Sequence, residues 1–408
     1  MKRTLITNIG MLATPQGTAA RGGRAQGEIC ILKNAWIFIE NDVIAQVGTG
    51  TAPAAADAQT INAGGKLVTP GLVDAHTHLI FGGWRQNELA LKLHGAGYLD
   101  ILAAGGGILS TMRATKAASE EQLEAKASAA LDEMLRFGTT TAEAKSGYGL
   151  STGEECKALR VIGKLQKHHV MDLAATFMGA HAVPEAYRDN RQGYLELLCE
   201  EMLPAVREQG IAEFCDVFCE KGVFSAEESR RILLTGRQYG LRPKIHADEI
   251  EAIGGSELAG EIGAVSAEHL IVCPPSGIAS MAEGGTVACC LPATSFYLGA
   301  AYAPVQDMVQ AGVPVAMATD FNPGSCPCLN MQLVISLGCL RYRLTPEQAL
   351  TAVTLTGAAA ICRADRIGSI EPGKQADILI WNAEDLDYIC YRLGSNLVDT
   401  VIKKGNVV

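Results

Sequence analysis

At 408 residues the chain is long enough to bury a large core, and a composition of 48% hydrophobic and 19% charged residues is that of a globular protein. A formal net charge of −10, with no concentrated basic stretch, excludes nucleic acid as a partner. The 13 cysteines are an odd number scattered singly through apolar segments, the pattern expected of reduced core thiols in the cytoplasm.

The chain opens with short strand patterns, TLITNI, EICILKN, AWIFIEN and VIAQVG, separated by Gly and Asn-Asp turns. Asn8 and Gly10 break the first apolar stretch, so no signal peptide is expected. Residues 14 to 27 carry no apolar pattern and are expected to form a mobile loop. Leu67 to Leu79, reading LVTPGLVDAHTHL, is expected to be one buried strand with Asp74, His76 and His78 at period two on its far end. Two imidazoles on one strand face can reach a single metal ion.

Beyond this strand, apolar runs alternate with amphipathic helical patterns. Strands are expected at GTTTAEAK, DLAATFMGA, EFCDVFCE, RPKIHA, AVSAEHLIV, TVACCLP and VPVAMATD, with helices such as SEEQLEAKASAALDEMLRF between most of them. Eight β/α units with wholly apolar strands predict an α/β fold closed as a (β/α)8 TIM-like barrel over residues 67–363. The glycine run Gly105-Gly106-Gly107 lacks the Lys-Ser or Lys-Thr of a phosphate loop and reads as a tight connection. No charge occurs from Gly285 to Gln306, but Pro292 and Pro304 interrupt that stretch and no membrane span is expected. The closing segments IGSIEPGKQADILIWN and DTVIKKGNVV supply more short strands. Residues 1–66 and 364–408 are therefore expected to pair into one small β-sandwich domain.

Catalysis in such barrels is run from the C-terminal ends of the strands. His76 and His78 fall at the first end, Lys145 to Tyr148 at the second, and His181 at the third. His246 lies at the fifth with Glu249 three residues on, His269 at the sixth and Asp320 at the eighth. Five of the eight histidines occupy strand ends, and His94, His168 and His169 are expected to be solvated bystanders. Three imidazoles and one carboxylate suit a divalent zinc, iron or manganese ion with one position left for water. Glu249 and Asp320 are acids at the right level to move protons, and Arg85, just past the first strand, is a candidate for receiving an anionic group.

The Asp74-x-His76-x-His78 strand, with His246, His269, Asp320 and a split β domain, resembles the amidohydrolase superfamily. HTHLIFGG, AAGGGILSTMRAT, KSGYG, GAHAVP, ATDFNPGS and GSIEPGKQAD together resemble its imidazolonepropionase family, across nearly the whole chain. The resemblance implies one zinc or iron ion per chain, held by His76, His78, His246 and Asp320. It implies substrate contacts at Arg85, Tyr98, Tyr148, His181, Glu249, Asn322, Gly324 and Ser325, and a catalytic set of Glu249, His269 and Asp320. It further implies a small anionic substrate, 4-imidazolone-5-propanoate, opened by hydrolysis of its ring amide in a cytoplasmic homodimer. Family members carry either Glu or Gln at the position of Glu249. A carboxylated lysine at Lys145 would instead signal two bridged metals, and Cys326 and Cys328 are expected to affect packing only. A cytosine- or guanine-type deaminase is the alternative, since it would share barrel and metal but would have no substrate carboxylate for Arg85 to meet.

Overall fold

The computed structural model describes residues 2–54, 57–95 and 106–408. Two eight-stranded sheets account for its strands. The first is mixed and draws on both ends of the chain: β1 (Arg3–Thr14), β2 (Cys30–Glu40), β3 (Val43–Thr49), β4 (Gln59–Asn62) and β5 (Leu67–Pro70) join β14 (Ile378–Trp381), β15 (Val398–Lys403) and β16 (Asn406–Val407). Alternating Ile6, Ile37, Ile39, Ile378, Ile380 and Ile402 give this sheet a buried apolar face of its own.

The second sheet is parallel and runs in sequence order through β6 (Leu72–Asp74), β7 (Thr139–Lys145), β8 (Asp172–Ala180), β9 (Phe214–Cys219), β10 (Arg242–Ala247), β11 (Ser266–His269), β12 (Val287–Cys290) and β13 (Val315–Met317). It closes on itself beyond β6 and β13, where Asp320 N–H donates to His76 O (3.1 Å) and His78 N–H to Phe321 O (2.9 Å). Seven of the eight predicted strands have their counterparts in β7 to β13, and the first supplies β6 in part. Helices cover them as the apolar periodicity requires. In helix Glu120–Arg136 a Ser119–Gln122 capping box starts the helix, and Leu123, Ala127, Leu131 and Met134 form its buried stripe. Burying each of the larger of these side chains stabilises the fold by about 1.5–3 kcal/mol. Among the described residues no helix is long and apolar enough to cross a membrane.

Two expectations are corrected. Leu67 to Leu79 is not one strand: β5 pairs with β1 and β14 in the mixed sheet, and only β6 enters the barrel. The chain changes sheets at Gly71, where a Cβ would sit 2.3 Å from the Thr140 hydroxyl. Nor are residues 14 to 27 wholly loop. Gly23–Gly27 forms a 3-10 turn whose buried Gln26 exchanges two 3.0 Å hydrogen bonds with the backbone of Val315. An amide side chain thereby pairs with β13 as a neighbouring strand would, a contact 289 residues distant that no local pattern announces.

Candidate active site and metal centre

Asp74 ends β6 and is wholly buried. Its carboxylate accepts the Thr319 N–H (3.0 Å) and hydroxyl (2.6 Å), and burial pushes its pKa up to about 7. It therefore ties the first strand end to the last. His76 and His78 lie just past the strand, separated by Thr77, whose hydroxyl donates to Glu143 O. Asp320 Oδ1 is 3.4 Å from His76 Nε2 and 3.6 Å from His78 Nε2, while His246 Nε2 is 3.3 Å from His78 Nε2. His269 joins from β11, its ring centroid 5.8 Å from that of His76. Asp248, His269, Leu270 and Asp320 all adopt left-handed backbone conformations (φ +52° to +68°). Each costs roughly 1 kcal/mol or more for a residue with a Cβ, so the rim is strained where the side chains converge.

Burial, reinforced by the charge of Lys145, keeps the His76 pKa well below the ordinary imidazole value, and burial likewise lowers His78. Burial takes His246 to about 3 although Asp216 pulls the other way. The rings are thus neutral at physiological pH, and among the described residues neither nitrogen of His76, nor Nδ1 of His78, has a hydrogen-bond partner. Buried neutral nitrogens without partners would cost about 1–3 kcal/mol each. With the Asp320 carboxylate beside them they are the donor set a divalent cation takes. The donor atoms of His76, His78 and His246 lie close enough together to hold one ion, as do those of His76, His269 and Asp320.

Beneath them lies a charge layer of which the sequence reading named only Lys145. His246 Nδ1 is 3.1 Å from the Asp216 carboxylate, and Lys145 Nζ binds the same carboxylate at 2.7 Å and Glu143 at 2.8 Å. Lys244 Nζ lies 2.9 Å from Glu143 and 3.4 Å from Glu268. The signal was present as single acids and lysines inside otherwise apolar strands, such as Asp216 in EFCDVFCE. The Lys145 ammonium lies between the Glu143 and Asp216 carboxylates.

The remaining predicted residues are placed as follows. Burial raises Glu249 to about 7, helped by the charge of Glu220, and its Oε2 lies 3.6 Å from His269 Nε2. Glu220 accepts the N–H groups of Ile250 and Glu251 and so shapes the loop that carries Glu249. Burial raises Asp320 to about 6, and Thr294 donates to it at 2.7 Å. His181 stacks on His78 with centroids 4.8 Å apart, and buried Tyr148 packs against both rings. Asn322 is committed to the turn: its Nδ2 donates to Asp320 O, and its Oδ1 accepts from the N–H groups of Gly324 and Ser325 and from the Ser325 hydroxyl. Its side chain thus holds the turn together, a role not foreseen from its place after Asp320. Arg85 is bound bidentately by Glu88, another residue the sequence reading passed over. Tyr98 and Gly105 lie outside the described residues. Of the expected bystanders, His94 and His168 are exposed, whereas the His169 ring is 7% exposed and accepts the Met171 N–H at 3.1 Å.

A parallel barrel whose C-terminal mouth gathers neutral imidazoles and a carboxylate, with an acid poised near neutrality beside them, defines a metal-dependent hydrolase. Residues 67–408 match the model of the Amidohydrolase family, and the chain belongs to that family. An imidazolonepropionase from Alkaliphilus metalliredigens (strain QYMF) is 50% identical over 414 residues, spanning 100% of this chain and 98% of that protein. One from Bacillus cereus (strain G9842) is 48% identical over 410 residues, spanning 100% and 97%. The crystal structure of an adenosine deaminase from Xanthomonas campestris with bound zinc superposes with a TM-score of 0.71 at 21% identity, covering 99% of this chain and 92% of that one. That likeness is one of fold.

Proposed function

We propose that the chain hydrolyses the ring amide of 4-imidazolone-5-propanoate to N-formimino-L-glutamate, a step of histidine degradation. Half-identity over the full length to proteins named imidazolonepropionase is the observation that carries the reading. The site chemistry agrees with it. His76, His78, His246 and Asp320 would hold one zinc or iron ion. When bound, a divalent ion supplies Lewis acidity, bringing the pKa of water towards neutrality and polarising a carbonyl oxygen.

The chain's own groups do the rest. Glu249, poised near pH 7, accepts the proton of the attacking water as the new C–O bond forms at the ring carbonyl. His269, neutral through burial, donates a hydrogen bond to the oxyanion that develops. The ring C–N bond then breaks, and Glu249 returns its proton to the departing nitrogen, with Asp320 as the second acid within reach of the site. Arg85 would receive the propionate, backed by Tyr148 and His181, in a cytoplasmic homodimer.

The test is direct assay of the metal-loaded protein on 4-imidazolone-5-propanoate, followed by loss of ring absorbance. Turnover supports the reading; absence of turnover, with a neutral cyclic amidine or pyrimidine consumed instead, replaces it with a deaminase.

A further inference from the structure

We propose that Glu88 is a specificity-determining positioning residue, which fixes the Arg85 guanidinium and offsets its charge so that it meets the carboxylate of the substrate in one orientation. The inference rests on the reading of Arg85 as the carboxylate receptor. Arg85 caps the 3-10 turn Gln86–Glu88, whose Glu88 N–H donates to Arg85 O at 3.0 Å, and this turn folds the Glu88 side chain back over Arg85. Arg85 Nε donates to Glu88 Oε1 at 3.0 Å and Nη2 to Oε2 at 2.9 Å, a paired contact along one edge of the fork. The Glu88 side chain is only 2% exposed and Arg85 14%. An acid so buried is not a solvated surface partner.

Two further contacts fix the pair in space. Gly107, the first residue of helix Gly107–Ala117, donates its N–H to Glu88 Oε1 at 2.7 Å. The close of the glycine run therefore serves as a donor to a carboxylate. On the other side, a Cβ at Gly324 would lie 2.0 Å from Arg85 Nη1 and 2.5 Å from Cζ, so the guanidinium rests against a backbone that only glycine leaves open. Gly324 belongs to the turn that Asn322 builds directly after Asp320. Arg85 is thus referenced by Glu88 along one edge and by the Asp320 turn along the other, with its Nη1 end outside the Glu88 pair.

A bare buried guanidinium would bind any small anion, whereas one already paired with a buried acid is a weaker cation with a fixed fork geometry, and selects by shape. Kinetics of Glu88→Gln and Glu88→Ala, alone and with Arg85→Met, on 4-imidazolone-5-propanoate and on an imidazolone lacking the propionate, test the assignment. Glu88→Gln retains an acceptor for the Gly107 N–H and so keeps the loop. Both Glu88 variants are expected to lower kcat/KM for the propionate substrate by about 10-fold or more, mainly through KM, and to leave the tail-less substrate within about 2-fold. In the Arg85→Met background they should add nothing. If Arg85→Met is selective for the propionate substrate but the Glu88 variants are silent, or impair both substrates equally, the role of Glu88 is overturned. If Arg85→Met leaves the propionate substrate unaffected, Arg85 is not the carboxylate receptor, and the role of Glu88 falls with that reading.

Discussion

Asp216 on β9 accepts the Nδ1–H of His246 on β10 at 3.1 Å, with Lys145 Nζ 2.7 Å from the same carboxylate. This contact places the His246 proton on Nδ1 and leaves the Nε2 lone pair facing His78 Nε2, 3.3 Å away. The tautomer of His246, a ligand in the proposed metal centre, is therefore set one layer below, and the ammonium of Lys145 keeps Asp216 ionised: burial alone would raise that carboxyl, but His246 and Lys145 hold it well below its ordinary value. Asp216→Asn can present an amide N–H to Nδ1 and favour the wrong tautomer. Metal affinity, measured by chelator competition on the purified protein, is expected to fall by roughly 10- to 100-fold with little change in the far-UV spectrum. Unchanged affinity would detach Asp216 from the chelating function.

Glu249→Gln keeps the shape of the loop that Glu220 holds but removes the proton acceptor. The expected outcome is kcat lower by roughly 10²- to 10⁴-fold at unchanged metal content and nearly unchanged KM, the usual worth of positioned proton transfer. Steady-state kinetics with metal analysis on the same preparation check it, and an intact kcat would move the proton to Asp320.

Most of the residues gathered at the barrel mouth were legible because the histidines and acids fall at strand ends, where the alternation of apolar strands with helices already marked the places. His76, His78, His246, His269 and Asp320 all follow runs whose burial is dictated by composition. What escaped had one of two physical causes. Asp216 and Lys244 sit within strands and pair across non-adjacent strands, Asp216 with Lys145 at the end of β7 and Lys244 with Glu143, which periodicity along one strand does not encode. Arg85 was read as a candidate anion receptor from its place just past the first strand, and only the 3-10 turn brings Glu88, three residues on, against it. The split of Leu67 to Leu79 between two sheets was hidden for a similar reason. Gly71 interrupts the run without changing its hydrophobicity, and the close approach of Thr140 that demands a glycine comes from another strand.

The raised pKa of Glu249 has a signed consequence for activity. Its carboxylate form is the base, and its acid form dominates below about pH 7. As pH falls through that value the active fraction of the free enzyme, and with it kcat/KM, is expected to drop roughly tenfold per unit. The limb should be absent from the residual activity of Glu249→Gln. A parent profile flat down to about pH 5, with metal retained, would contradict the assignment of Glu249 as base.

The last prediction concerns how the mixed sheet is fastened to the barrel. Asp172 begins β8, and its carboxylate binds Lys403, the last residue of β15, at 2.7 Å and Lys404, just past it, at 2.6 Å, along with the Gln375 amide at 2.8 Å. Burial pushes this carboxyl up, but Lys403, Lys404 and Gln375 outweigh it and hold the pKa at about 2 against an ordinary 3.8. A folded-state value below the unfolded one means that the ionised form stabilises the fold. That stability is present in full above the unfolded value and is lost as pH falls through about 4 towards about 2. The side chain is 34% exposed, so solvent screening reduces the contribution to on the order of 1–2 kcal/mol. Asp172→Asn should also leave the buried Lys403 ammonium with Asp377 as its remaining carboxylate partner among the described residues. The variant is therefore expected to melt a few degrees below the parent at pH 7, a gap that narrows as both are taken from pH 5 to pH 3. Melting curves across that range decide it, and a gap that stays constant with pH would mean that packing at Asp172, and not its charge, holds the two sheets together.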